Sequence, residues 1–178
     1  MKKLIVILAV AFAFAATAKA QMCVHAAYGI DRLTFTGGHA NFHHFAVGYS
    51  KDITLGIGAK VGLDYGATWK MYKANDAGTK ANFLAIPVHA KVYLPMGATT
   101  KFFAAPGFAA NLGLFGSKGV FDDGMIKRFN LAVDGDLGVI FASMIKVAVG
   151  YEYSLTKFQD MNIGNHLGSI RFTVGVVF

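Results

Sequence analysis

From Leu55 to Met71 the chain alternates without a slip. Leu55, Ile57, Ala59, Val61, Leu63, Tyr65, Ala67, Trp69 and Met71 are apolar, whereas Thr54, Gly56, Gly58, Lys60, Gly62, Asp64, Gly66, Thr68 and Lys70 are not. Period two is the signature of a two-faced β-strand. About 9 to 11 residues of strand cross a lipid core, so this stretch is long enough to do so. One face is purely apolar, and the other holds glycine, threonine and a few charges. Such a strand suits a barrel with lipid outside and a tight polar lumen.

Seven further segments repeat the pattern more weakly: 24–31, 43–50, 83–94, 100–115, 129–141, 145–155 and 167–178. The expected fold is therefore all-β: an eight-stranded antiparallel up-and-down transmembrane β-barrel. Short links are expected at Lys51-Asp52, Pro95 to Thr99 and Ala142 to Met144. Longer ones are expected at Arg32 to Phe42, Tyr72 to Asn82, Gly116 to Arg128 and Thr156 to His166. Outer-membrane barrels have short periplasmic turns and longer outer loops, which puts both termini in the periplasm. Aromatic girdles fall at Tyr49, Tyr93, Phe102, Phe141 and Phe178 near the inner rim. Near the outer rim they fall at Trp69, Phe115, Phe129, Tyr153 and Phe158.

The start of the chain fits export. Lys2 and Lys3 precede an apolar run from Leu4 to Ala16, and Ala18-Lys19-Ala20 forms a small-x-small cleavage site, so residues 1–20 read as a signal peptide. Residues 21–178 then form one barrel domain. Removing Lys2, Lys3 and Lys19 leaves 14 of the 17 basic residues against 10 acidic ones, and the formal charge falls from +7 to +4. Charged residues make up only 15% of the chain, against about 25% in globular domains. Yet no mature segment has the composition of a transmembrane helix. Only helices and closed barrels satisfy every backbone group in lipid, so an apolar, exported, helix-poor chain points to a bacterial outer membrane.

Alternation alone does not separate this barrel from a soluble periplasmic one that holds a lipid in an apolar cavity. The polar stripe does. A solvent face would carry many lysines and glutamates, whereas this one is mostly Gly, Ala, Ser and Thr. An eight-stranded barrel has an interior that side chains just fill, and buried charges need partners. Lys60, Lys91, Lys101, Lys146 and Arg171 are therefore expected in a lumen network with Asp64, Asp134, Asp136 and Glu152, plugging the barrel.

Other constellations are weaker. His39, His43 and His44 cluster on the expected first outer loop, but His43 and His44 are adjacent and would point to opposite faces of a strand. Metal binding is not expected there. Asp122-Asp123-Gly124 reads as a turn, since a calcium site needs more oxygen ligands. Cys23 has no partner for a disulfide, and Ala20-Gln21-Met22 before it is unlike a lipobox. Glu152, His166 and Ser169 share the last hairpin, but Glu152 and Ser169 fall on the lumen face and His166 in a loop. No catalytic site or cofactor is expected. The basic residues form no stripe for nucleic acid. Lys73, Lys80, Lys118, Lys127 and Lys157 would meet anionic outer-membrane lipids instead.

Phe83-Leu84-Ala85-Ile86-Pro87-Val88-His89-Ala90-Lys91 resembles the "yLEIPlllK" strand of an outer-membrane β-barrel family abundant in Bacteroidota, which includes PorT-like proteins. The segments 41–49 and 103–107 resemble its second strand and its "vgaGp" strand, and 149–156 its "lrYsyGLtn" strand. Ala85 stands where the family has glutamate, and Ser154 where it has glycine. The resemblance implies insertion by the outer-membrane assembly machinery, which reads a C-terminal aromatic such as Phe178. It implies no single activity. Some members act with secretion proteins, so the expected function is a monomeric, non-enzymatic barrel with a structural or surface role, or an accessory of an envelope or secretion machine.

Overall fold

The computed structural model describes residues 20–35, 37–54, 61–74, 80–96, 98–121, 126–158 and 166–178. Eight strands follow one another: β1 (Ala20–Phe35), β2 (Gly38–Thr54), β3 (Val61–Ala74), β4 (Lys80–Pro95), β5 (Lys101–Gly116), β6 (Phe129–Phe141), β7 (Ile145–Ser154) and β8 (His166–Val177). Each pairs antiparallel with its neighbour, and β8 returns to β1 to close the barrel. At the seam Phe178 N–H donates to Met22 O and Met22 N–H to Phe178 O, both at 2.8 Å. The chain is thus a closed, all-antiparallel, up-and-down β-barrel, as its period-two segments predict.

The faces follow the alternation. Along β7 exposed Ile145, Val147, Val149, Tyr151 and Tyr153 alternate with buried Lys146, Ala148, Gly150, Glu152 and Ser154. The same division holds in every strand, and among the described residues 37 large apolar side chains lie exposed while the polar strand positions line the interior. A soluble barrel that stores an apolar ligand needs the reverse.

Two expected links are not links. The first outer loop, placed at Arg32 to Phe42, is strand: β1 and β2 pair out to Phe35↔Gly38, leaving only residues 36 and 37 between them. The Lys51-Asp52 turn is also strand, because β2 runs on to Thr54, pairing Lys51 with Tyr65 and Asp52 with Asp64. The unbroken strand from Leu55 accordingly becomes β3 from Val61, and residues 55–60 lie outside the described residues. The cause is shared. Charged residues read as turn signals when they stand at strand ends, but here Asp31 and Asp52 are buried in the lumen, where a barrel accepts paired charges in mid-strand. Thr100 belongs to the link before β5, and Leu155 to the link after β7.

Prolines mark irregular ladders. The β3–β4 register passes from Tyr65↔Val88 directly to Thr68↔Ala85, skipping Pro87, which has no N–H to donate. Between β4 and β5 it passes from His89↔Gly107 to Val92↔Ala104, skipping Pro106.

Two girdle assignments also fail. Tyr93 is buried because its parity opposes that of exposed Val92 and Leu94. Phe158 folds back and is buried in a cluster with Leu33, Tyr72, Phe83, Val120, Ile126 and Leu167. Tyr49, Phe141 and Phe178 remain exposed at the inner end, as do Trp69, Phe115, Phe129 and Tyr153 at the outer. Phe102 is half-buried.

The β6–β7 hairpin turns through Ala142 (φ 48°) and Ser143 (φ 59°), with Met144 N–H bonding Phe141 O at 2.9 Å. Left-handed backbone costs non-glycine residues about 1–2 kcal/mol each. Asn-Gly is the dipeptide that favours it. Replacing the pair, Ala142→Asn with Ser143→Gly, is expected to stabilise the barrel by about 1 kcal/mol, read as a higher urea midpoint. Ala142→Val should lower it.

Candidate functional site

The lumen is organised in layers. At its centre Arg171, on β8, reaches three carboxylates on two neighbouring strands. Its Nη2 lies 2.9 Å from Asp134 Oδ1 and 2.7 Å from Asp136 Oδ1, and its Nη1 lies 3.3 Å from Glu152 Oε2. From β3, Lys70 Nζ donates to the same Glu152 Oε2 at 2.5 Å and to Asn111 Oδ1 at 3.1 Å. Asn111 Nδ2 completes that triangle on Glu152 Oε1 at 3.0 Å. His89 Nε2 lies 3.1 Å from Asp134 Oδ2. All of these side chains are buried, so each charge interacts through a medium far less screening than water.

The inner layer holds Lys91, which donates to Asp52 at 2.9 Å and Asp64 at 3.2 Å, and Lys146, 3.9 Å from Asp136. Both ammonium groups lie over the ring of Phe103, at 4.6 and 5.3 Å, within cation–π range. Phe103 belongs to an apolar cluster with Cys23, Tyr93, Ile140 and Val177 toward the inner end. Toward the outer end His44 meets Asp31 at 2.7 Å and packs on Tyr72, ring centroids 4.9 Å apart. Above them sits the apolar cluster around Phe83 and Phe158. Between the layers, among His25, Thr68, His89 and Arg171, lies a cavity of about 30 Å3, room for one or two waters. His25 Nδ1 and Thr173 Oγ1 on its wall make no hydrogen bond with the described residues.

Glycine makes this crowding feasible. A Cβ on Gly29 would overlap the His44 imidazole. One on Gly150 would overlap Asp136 Oδ1 and come within 3.0 Å of Arg171 Nη2.

Of the sequence-predicted network, Asp64, Lys91, Asp134, Asp136, Lys146, Glu152 and Arg171 lie together in the lumen. Lys60 lies outside the described residues. Lys101 is half-buried at the inner rim, with its ammonium 5.8 Å from the Tyr93 centroid, and it reaches no carboxylate among the described residues. Sequence reasoning missed Lys70, Asp52, Asp31, His44 and His89. The parity of Lys70 and His89 already placed them inward, whereas Asp52 was hidden by its reading as a turn.

His39, His43 and His44 lie on β2, and the last two point apart. His43 stacks outside on Tyr28, its Nδ1 2.7 Å from the tyrosine hydroxyl. Among the described residues no three of His, Cys, Asp and Glu converge as metal ligands. Glu152 pairs in register with Ser169, whose Oγ makes no hydrogen bond among the described residues, while His166 Nδ1 bonds Ser154 O at 2.9 Å. These three do not form a relay.

No family model matches the chain, and no curated protein matches it in sequence. Solved structures do match in shape. The outer-membrane enzyme PagL is 16% identical at a TM-score of 0.61, covering 86% of this chain and 98% of its own. Neisserial surface protein A is 16% identical at 0.57, covering 89% and 98%. The outer-membrane protein OprG from Pseudomonas aeruginosa is 11% identical at 0.52, covering 90% and 96%. The shared property is the small outer-membrane barrel fold. With an enzyme and a surface protein on the same scaffold, shape assigns no activity.

Arg171→Met would remove the guanidinium that three buried carboxylates share and is expected to cost about 3–5 kcal/mol in urea unfolding. Lys101→Met should cost under about 1 kcal/mol. A smaller loss for Arg171→Met than for Lys101→Met would overturn this assignment of the network.

Proposed function

We propose that the chain is a bacterial integral outer-membrane barrel: exported by residues 1–20, monomeric, non-enzymatic and non-conducting, with a structural or surface-interaction role. One observation carries the reading. The exposed apolar side chains encircle the barrel between aromatic residues at its two ends, whereas all six carboxylates among the described residues, Asp31, Asp52, Asp64, Asp134, Asp136 and Glu152, are buried in the lumen. Soluble monomers rarely expose an apolar patch beyond about 600 Å2, and a belt running round a closed barrel exceeds any such patch. Lipid is the solvent that matches it.

The filled lumen favours a plug over a pore, because apolar clusters lie toward both ends and ion pairs occupy the middle. Orientation follows the longer links after β5 and β7, which face outward on the general rule and leave both termini periplasmic. Phe178, exposed after β8 and bonded to Met22 across the seam, fits the aromatic assembly signal that the family resemblance implies. The proposed kinship with the PorT-like family of Bacteroidota rests on the β2, β4, β5 and β7 motifs, with partners among envelope or secretion proteins.

The folded chain should show heat-modifiable migration on gels, resist carbonate extraction and give no channel steps in planar bilayers. A freely soluble mature chain would sink the membrane reading, and stable conductance would sink the plug. Val149→Arg, on the outer face, should lower stability in lipid by about 2–4 kcal/mol if it lies near the midplane. A harmless outcome would reverse the faces.

A further inference from the structure

Outward-facing residues of neighbouring strands form rows around the barrel. One row near the outer end runs through His43, Lys73 and Lys80, paired in register as His43↔Lys73 and Lys73↔Lys80. Directly opposed side chains have Cβ atoms only about 5 Å apart, and like charges so placed repel. Neither ammonium has an ion-pair partner among the described residues, and no described carboxylate is on the outer surface to supply one. Asp76, Asp122, Asp123 and Asp160 lie outside the described residues. The backbone beneath Lys80 is nevertheless fixed, since Lys80 N–H donates to Ser117 Oγ at 2.9 Å and Ser117 N–H to Lys80 O at 2.8 Å.

Immediately below, the next outward row is Phe45, Met71 and Asn82, also paired in register. Both rows border a hollow of about 410 Å3, within the range of ligand clefts. The row below that brings Trp69, whose Nε1 donates to Asn82 Oδ1 at 3.2 Å. An indole that is apolar below and hydrogen-bonded above marks the level where hydrocarbon meets head groups. The two lysines therefore stand at head-group height over an apolar hollow.

We propose that this face of β2, β3 and β4 binds one phosphorylated, acylated glycolipid of the outer leaflet, with an acyl chain against Phe45 and Met71 and a phosphate bridging Lys73 and Lys80. The phosphate supplies the negative charge that no described residue brings to the opposed lysines, and the acyl chain fills a hollow that water would solvate poorly. The inference rests on the outer-membrane reading and deepens it, because it turns a diffuse attraction of basic residues to the leaflet into a site with two ends.

The test uses the full mature chain refolded in detergent, with folding first checked by heat-modifiable migration. Native mass spectrometry then measures retention of a diphosphorylated hexa-acyl glycolipid, its dephosphorylated form and phosphatidylglycerol. Two lysines near an anionic head group at about 1 kcal/mol each correspond to about 30-fold in affinity, so Lys73→Gln with Lys80→Gln should weaken the phosphorylated glycolipid by that order. Lys118→Gln with Lys157→Gln should leave it within about threefold, and the dephosphorylated form should bind wild type and the Lys73/Lys80 variant alike. Without lipid that variant should unfold at an equal or higher urea concentration than wild type, and with the glycolipid the order should invert. Undiminished binding in the variant, an equal loss in the Lys118/Lys157 control, or phosphatidylglycerol bound as tightly would each overturn the site while leaving the barrel intact. A wild-type chain without heat-modifiable migration would instead overturn the outer-membrane reading together with the site.

Discussion

Arg171 is the group around which the interior is arranged. A guanidinium keeps its charge at any pH a protein meets and offers five donors in a fixed plane. Here that plane meets Asp134, Asp136 and Glu152 at once. Three carboxylates brought so close in an unscreening interior would otherwise repel strongly. Lys70 shares Glu152 Oε2 with Arg171, and His89 takes the second oxygen of Asp134, so the network spans strands far apart in sequence. It ties the barrel across its diameter, a direction in which the sheet itself has no hydrogen bonds.

That network also explains why the inward stripe is rich in glycine. An eight-stranded lumen has little spare volume, and long polar side chains from one strand lie over the backbone of the next. Gly150 sits under the Asp136 and Arg171 contact, and Gly29 under His44. The small residues and the charges are one feature: the charges need space, and the glycines supply it where the sheet is most crowded.

Much of this was legible because period two is an unambiguous signal when one face is wholly apolar. Strand number, strand order and the direction of each face follow from it, and so does the inward placement of Arg171, Asp134 and Glu152. The errors arise where alternation was set aside for a local rule. Lys51-Asp52 looked like a turn, yet Asp52 is in phase with Ser50 and His44 and ends on Lys91. Tyr93 was assigned to a girdle for being aromatic, although its neighbours Val92 and Leu94 already claimed the outer face. The partners within the lumen were less accessible. Pairing Lys91 with Asp52 as well as Asp64 depends on register and on the shear of the closed sheet, which side-chain periodicity does not encode.

The outer end gives the clearest change in where function belongs. The longer links after β5 and β7 are the natural candidates for surface interaction, but three of their described apolar residues are already committed. Val120, Ile126 and Phe158 turn inward onto Phe83, Tyr72 and Leu33. The two links are also joined to each other, Lys127 N–H to Phe158 O at 2.9 Å, and to β4 through Ser117. A segment whose apolar side chains pack over the barrel end cannot rearrange freely around a partner without exposing them. Binding therefore falls more naturally to surfaces that need no rearrangement, and the rigid wall of β2, β3 and β4 is one. Its opposed lysines are a cost to the isolated chain that an anionic lipid would relieve.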